Sequence, residues 1–448
     1  MTEQVSRHEV ANDHPRPGID DRVEWQAYWQ AQGQPWRREP EIDKKRQKQL
    51  DQMRAIEPQI EQSIYPFAGE KLSRADVEWL LVTHEQGRGP IDWSDVQQRQ
   101  RKGPDLRGAD LSGLNLRYLP LARLQAGIYW YDSEQSLTPE HMRLGAANMQ
   151  GVDLREAHLE GASLGYVNLR LAVLYFARLE EADLRDAYLQ ESPMYGTNLE
   201  NANLIGAHLE GAYLFRAQLS GANLQEVFFD PSTDLRGAVL SEKKHHFISL
   251  AGVHWGEVDL SVINWSQVGY LGDEELARQP KNADGIMKDA ETRLQEYRAA
   301  VRANRQVAVS LREQGMNEEA MPFAYRAQTL QRSVYWRERQ IGRYLFSLFL
   351  DALAGYGYKP TRCFIAYACV ILAYATAYYL LGPASHIQLS PIEAIVFSMI
   401  SFHGRGFAPS ISVGISSPIA ILTAIEALVG IIIELTLIAT LTQRLFSR

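Results

Sequence analysis

Leu199-Glu200-Asn201-Ala202-Asn203-Leu204-Ile205-Gly206-Ala207-His208-Leu209-Glu210-Gly211-Ala212-Tyr213-Leu214 decides the fold of the middle of this chain. Leucine stands at every fifth position, and a small residue precedes each leucine by two. The same phase runs from Met149 to Leu224, sixteen consecutive centres of which fourteen are Leu and two Met. Ala157, Ala162, Ala182, Ala202, Ala212 and Ala222 hold the small position. A fixed period of this length is an internal repeat, and it sets the architecture ahead of local propensity. Residues two apart on an extended chain face the same side. Each Ala-x-Leu therefore sends two side chains inward while the remaining residues turn a corner, and stacked coils bury a continuous leucine column.

Working outward, Leu106, Leu111 and Leu116 keep the spacing in Asp105-Leu106-Arg107-Gly108-Ala109-Asp110-Leu111. Two irregular stretches read as loops or imperfect coils. One is Gln125–Arg143, holding Tyr129-Trp130-Tyr131, which serves either as packing against the coil or as a ligand surface. The other is Val227–Gly256, where Asp234-Leu235 and then Asp259-Leu260 restart the pattern in a new phase. These residues resemble the pentapeptide-repeat family. The resemblance implies a right-handed quadrilateral β-helix with four pentapeptides per coil, so sixteen repeats make four uninterrupted coils about 19 Å tall.

The flanks change period. Residues 1–100 read as helical and peripheral, with Trp25 and Trp29 at i, i+4 and a helix start at Ser73 followed by Asp76. The Lys44–Lys48 cluster reads as a solvated helix face. Met1–Asp20 lacks the apolar stretch of a signal peptide. From Asp284 the apolar spacing is helical, with a hairpin turning at Gly315 and Asn317. Arg337–Ala354 mixes arginines with aromatic and aliphatic residues, which suits either the membrane interface or a helix contact within an oligomer. The expected segments are 1–100, the β-helix 101–270, the hairpin and interfacial helix 271–358, and an all-α pore-like domain 359–448.

Cys363–Leu381 is uncharged, and Pro418–Leu441 carries only Glu426 and Glu434. Both approach the roughly 20 residues that cross a bilayer. Basic residues cluster before the first run (Arg337, Arg339, Arg343, Lys359, Arg362) and after the second (Arg444, Arg448). That bias predicts a two-span protein of the inner membrane with both termini cytoplasmic. Between the runs, Ser390-Pro391-Ile392-Glu393 starts a helix, and Ala394–Phe402 is too short to span. A re-entrant pore helix running into His403-Gly404-Arg405-Gly406-Phe407 is expected.

This layout resembles the two-transmembrane potassium-channel pore family, including Gly355-Tyr356-Gly357-Tyr358-Lys359-Pro360 and Ala424-Ile425-Glu426-Ala427-Leu428-Val429-Gly430. The resemblance implies a homotetrameric ion channel whose filter is Phe402, His403, Gly404, Arg405, Gly406 and Phe407. The family's filter is Thr-Val-Gly-Tyr-Gly-Asp, so the threonine and tyrosine are absent here. The expectation is a cation channel of poor potassium selectivity. Arg405 lies either behind the filter against Glu426 or Glu393, or toward the axis, where four copies would favour anions. Gly430 takes the place of the family's hinge, and Glu434 that of a residue facing the cavity.

The formal net charge of −8 argues against a nucleic-acid surface. The two cysteines, Cys363 and Cys369, build no metal site, and His245-His246 reads as a surface turn. With no nucleophile elbow or phosphate loop, neither enzyme activity nor a cofactor is expected. Expected partners are membrane lipid, permeating ions, copies of the same chain, and a cytoplasmic ligand or protein. Residues 145–229 hold eleven acids against five arginines, a balance of −6. That keeps a membrane-anchored, non-conducting binding scaffold as the alternative.

Overall fold

The computed structural model describes residues 17–18, 22–128, 138–241, 247–282, 285–381, 389–404 and 418–446. It divides into two compact units, Met1–Gln279 and Pro280–Arg448.

The first unit is organised by parallel bridges. Asn148 pairs with Asn168, Asn168 with Tyr188, Tyr188 with His208, and His208 with Phe228. A step of twenty residues is four five-residue repeats per coil, and four such ladders make a β-helix with four sides. The ladder through Asp105, Gln125, Ser163, Asp183, Asn203, Asn223 and Ser249 has seven rungs. At about 4.8 Å per rung it rises roughly 29 Å. Leu154, Leu184, Leu204 and the alanines beside them are fully buried.

Each corner is a β-turn closed from centre to small residue, as where Ala157 N–H donates to Leu154 O at 3.0 Å. Its third residue is left-handed at all sixteen corners from Gly151 to Glu226, and only six of these are glycine. The other ten each bear a penalty of roughly 1–2 kcal/mol. Closure of the flanking ladders offsets it.

Residues 22–100 are not peripheral. They hold helices α1 (Arg22–Ala31), α2 (Lys44–Arg54) and α3 (Arg74–Val82), of which α3 bonds to the open edge of the coil and α2 is tied to α3 through Arg46 and Asp76. Lys71 bridges Asp110, and Leu72 N–H donates to Asp110 O at 3.1 Å, adding one more rung. Buried Glu78 accepts the backbone N–H groups of Arg38 and Glu39 and the Arg74 side chain. Arg74 in turn donates to Asn115 O at 2.8 Å. The expected border near residue 100 therefore runs through one continuous body.

The irregular stretches resolve into insertions. Asp110 pairs with Asn148 and Gln125 with Ser163, steps of 38 residues that keep the ladder in phase. The side loop between them carries α4 (Pro139–Gly145). Tyr129-Trp130-Tyr131 lies outside the described residues. Val227–Gly256 is an imperfect coil and not a loop, because Phe228, Asp234, Val239, Ser249 and His254 all bridge. Its steps lengthen to 21 and then 26 residues, so inserted residues shift the leucine phase while the described residues on either side keep the ladder. His245-His246 falls outside the described residues.

At the far end α5 (Gly272–Arg278) covers the last coil. Gly272 N–H donates to Ile248 O, and buried Asp273 accepts Leu250 N–H at 2.7 Å and the Gln225 amide at 2.8 Å. Capping both ends removes the free edges that invite sheet-to-sheet association.

The second unit is helical. α6 (Ala290–Glu313) and α7 (Asn317–Arg337) form the hairpin, turning at Gly315, whose φ is +78°. Val301, Val307 and Leu311 on α6, and Phe323, Leu330 and Val334 on α7, are its buried residues. α8 (Ile341–Ala354) ends at Gly355 in the left-handed region and leaves Leu345, Phe346, Leu348 and Phe349 exposed. α9 (Pro360–Leu381) and α11 (Pro418–Phe446) are long and apolar enough to cross a membrane. Between them in sequence, the apolar α10 (Pro391–Phe402) packs against both.

Candidate functional site

The polar chemistry of the second unit gathers where α10 meets its two long neighbours. Glu426 of α11 is fully buried and accepts from Tyr378 Oη of α9 at 2.6 Å and from Ser398 Oγ of α10. One carboxylate therefore ties three helices together. Ser398 Oγ also lies 3.0 Å from Ile371 O. Tyr378, Phe397 and Ile419 pack around this point.

One turn further along α11, Gly430 admits the end of α10. A Cβ built there would stand 2.0 Å from Phe402 O. The glycine is thus a notch for close approach, within a helix that continues unbroken to Phe446. Phe402 differs from its expected role as a filter-lining residue. Its side chain is fully buried with Leu353, Ile371 and Ile433, because an aromatic ring at the helix end is held by the apolar core.

The helix ends at His403. His403 Nδ1 lies 2.8 Å from Met399 O, so this nitrogen carries the proton and donates. Its Nε2 lies 3.3 Å from Glu434 Oε1. Both side chains remain more than a third exposed, and the Tyr367 ring stands 6.1 Å from the imidazole. Gly404 has φ +66°. Arg405, Gly406 and Phe407 lie outside the described residues.

Glu393 is engaged at the start of its own helix. Its carboxylate accepts Ser390 N–H at 2.7 Å, completing a reciprocal cap with Ser390 Oγ at the start of α10. The first-turn position serves the helix's own free N–H groups, which lie nearest to it.

A second cluster was not foreseen from the sequence. Asp351 of α8 accepts from Arg332 of α7 at 2.7 Å, from Tyr325 Oη of α7 at 2.9 Å and from Arg362 of α9 at 2.9 Å. Burial alone would push the Asp351 carboxyl up, but the bonds from Arg332 and Tyr325 outweigh it and hold the group below the ordinary range. Tyr356 Oη meets Ser347 Oγ at 2.7 Å beside it. The available signal was one acid in an otherwise apolar helix with arginines on both sides.

Comparison with known proteins bears on the coil. The family model "Pentapeptide repeats" matches residues 153–190 and 194–230 in eight copies. The coil is a pentapeptide-repeat region. Among solved structures it is similar to HetL, a pentapeptide repeat protein involved in heterocyst differentiation regulation from the cyanobacterium Nostoc sp. strain PCC 7120. That match has 22% identity, covers 35% of this chain and 85% of HetL, and has a TM-score of 0.16. Rfr23 from the cyanobacterium Cyanothece 51142 matches at 24% identity over 33% of this chain and 87% of its own, with a TM-score of 0.15. QnrB1, a plasmid-mediated fluoroquinolone resistance protein, matches at 18% over 36% and 76%, with a TM-score of 0.16. The coil geometry rests on the chain's own bridge register, not on these overlays. No curated protein matches the chain. The chain thus joins a pentapeptide-repeat region to a C-terminal helical part with two long apolar helices.

Proposed function

We propose that the chain is one subunit of a homotetrameric ion channel whose pentapeptide-repeat part serves assembly or gating. The observation that carries this reading is the seating of α10. A twelve-residue apolar helix is pinned by buried Glu426 to two membrane-length helices, and its end is notched into Gly430. A short helix at membrane depth needs its polar end buried or set in a water-filled path. Only 17% of the apolar window of α9 and 22% of that of α11 is buried within one chain. A core helix of a soluble protein would be mostly covered, so lipid and further copies are the proposed cover. One Gly404-to-Gly406 loop cannot surround an ion, hence four chains.

On this reading both termini are cytoplasmic, and a ring of four Glu434 carboxylates draws cations. No enzymatic activity and no nucleic-acid partner are part of the proposal. Reversal potentials of purified protein in planar bilayers under a KCl gradient test it. The expected result is a cation-selective current whose selectivity falls in Glu434→Gln. Silence under every voltage and pH tried supports instead an anchored, non-conducting scaffold, and an anion-selective current points to Arg405 facing the axis.

A further inference from the structure

We infer that the first unit carries a binding site for a small organic anion with a planar ring, of nucleotide size, in the cleft beneath α4. The 18-residue surplus in the coil step leaves the wall intact and lays α4 along it. Between helix and wall is a cleft of about 790 Å³, bordered by Met142, Arg143, Asn148, Tyr166, Arg170 and Tyr188. That volume falls within the range of small-molecule sites.

The charges in this cleft break the rule of the coil. Elsewhere an arginine two residues after an aspartate is neutralised by it: Arg107 by Asp105, Arg155 by Asp153, Arg185 by Asp183 and Arg236 by Asp234, each within 2.7 Å. Arg170 follows Asn168 instead. The Asn168 amide is spent on Asn148 Oδ1 at 3.0 Å, and its own oxygen accepts Arg170 N–H. Substituting an amide for the acid keeps the ladder and leaves the guanidinium without an ion pair among the described residues. Arg143 on α4 likewise makes no ion pair with a described residue, and no acid is among the described residues that line the cleft. Two cations with forked donors, unpaired among the described residues, line the same space, which suits a phosphate or carboxylate.

The wall supplies the ring contact. Tyr188 is exposed toward solvent and already stacks on His208, 5.3 Å between centroids, so its orientation is fixed before a ligand arrives. The Tyr166 hydroxyl is held by Asp186, which fixes the ring at the edge of the cleft. Met142 and Ala146 give the apolar floor. A rigid aromatic wall beside two cations selects a ring joined to an anion over either part alone.

This site does not depend on the channel reading, since binding is measured without ion flux. Calorimetric titration of the full-length protein in detergent with adenosine monophosphate is the test. Saturable binding at one site per chain is expected, with adenosine and inorganic phosphate each at least about tenfold weaker. Arg143→Glu with Arg170→Glu should weaken it by about tenfold or more, and Arg143→Gln with Arg170→Gln by less. Tyr188→Ala should bring adenosine monophosphate down toward phosphate. Arg216→Glu, at another corner of the coil, should leave it unchanged. All these positions are exposed, and unchanged melting curves confirm that the variants fold. Absence of saturable binding, equal binding of phosphate, or binding that survives both charge reversals would overturn the proposal.

Discussion

The two units meet the same physical demand in opposite ways. In the coil, every apolar side chain at a repeat centre is buried by its own chain, and both open ends are capped by Lys71 on one side and Asp273 on the other. In the C-terminal unit, Leu345, Phe346, Phe364, Ile365, Leu372, Leu428 and Leu435 stand exposed. Such an area of apolar surface on one chain marks an unfinished boundary. The first unit buries its repeat centres within its own chain, and the second leaves two membrane-length helices largely uncovered, which the proposed reading assigns to lipid and further copies. The difference also separates what each can tolerate. The coil is sensitive to volume inside, whereas the helical unit is sensitive at a few polar and glycine contacts.

The sharpest way to break the comparison is Leu184→Ala, which removes a fully buried centre in mid-coil. It should cost about 2–5 kcal/mol in chemical denaturation, while Leu435→Ala on the exposed face of α11 should cost about 0.5 kcal/mol or less. Equal losses would mean that the coil is not the self-sufficient part. Next in size, Gly430→Ala forces a methyl group against Phe402 O. It should destabilise the helical unit by about 1–3 kcal/mol and displace the end of α10, readable as loss of current or lowered melting temperature. Normal melting and normal current would remove the notch from the account.

Smaller is the effect at Asp351. Its folded-state pKa lies below the unfolded value, so its contribution is fully present above the ordinary carboxylate range and is lost as pH falls through the folded pKa. Asp351→Asn should cost about 1–2 kcal/mol at neutral pH and should flatten the acid limb of the stability curve. An unchanged acid limb would show that the contacts to Arg332 and Arg362 carry no net energy. The smallest effect belongs to Glu180, which burial first, and then the neighbouring Glu160 and Glu200, push above the ordinary range. A raised carboxyl pKa means that the folded state gains stability as pH falls toward it. Glu180→Gln should therefore stabilise the coil slightly at neutral pH and reduce that gain. A destabilised Glu180→Gln would show that the charge is compensated within the stack.

The leucine period was enough to read the repeat and its inward face, because one residue type reports each turn of the backbone, while the four-repeat step followed from the family resemblance. It could not show the rung at Lys71, since a single added strand has no period of its own. Nor could it show that Val227–Gly256 stays in the wall, because a one-residue bulge at Asp230–Thr233 shifts the phase while the bridges persist. In the helical unit the two long helices and the short one between them were legible from length and apolar content. The partners of Glu426 and the meeting of His403 with Glu434 were not, since they join residues 28 to 48 positions apart through helix packing. Glu393 was read twice from the same residues, as a helix-start acid and as a partner behind the loop. The cap won because Ser390 is three residues away on the same turn.

The central claim is that four chains complete the apolar surface of the C-terminal unit. Native mass measurement of the full-length protein released from membranes in lipid nanodiscs tests it most directly. The account predicts a mass of four chains, retained in Leu435→Ala and reduced by Gly430→Ala. A single chain, stable and folded in the same lipid, would contradict it.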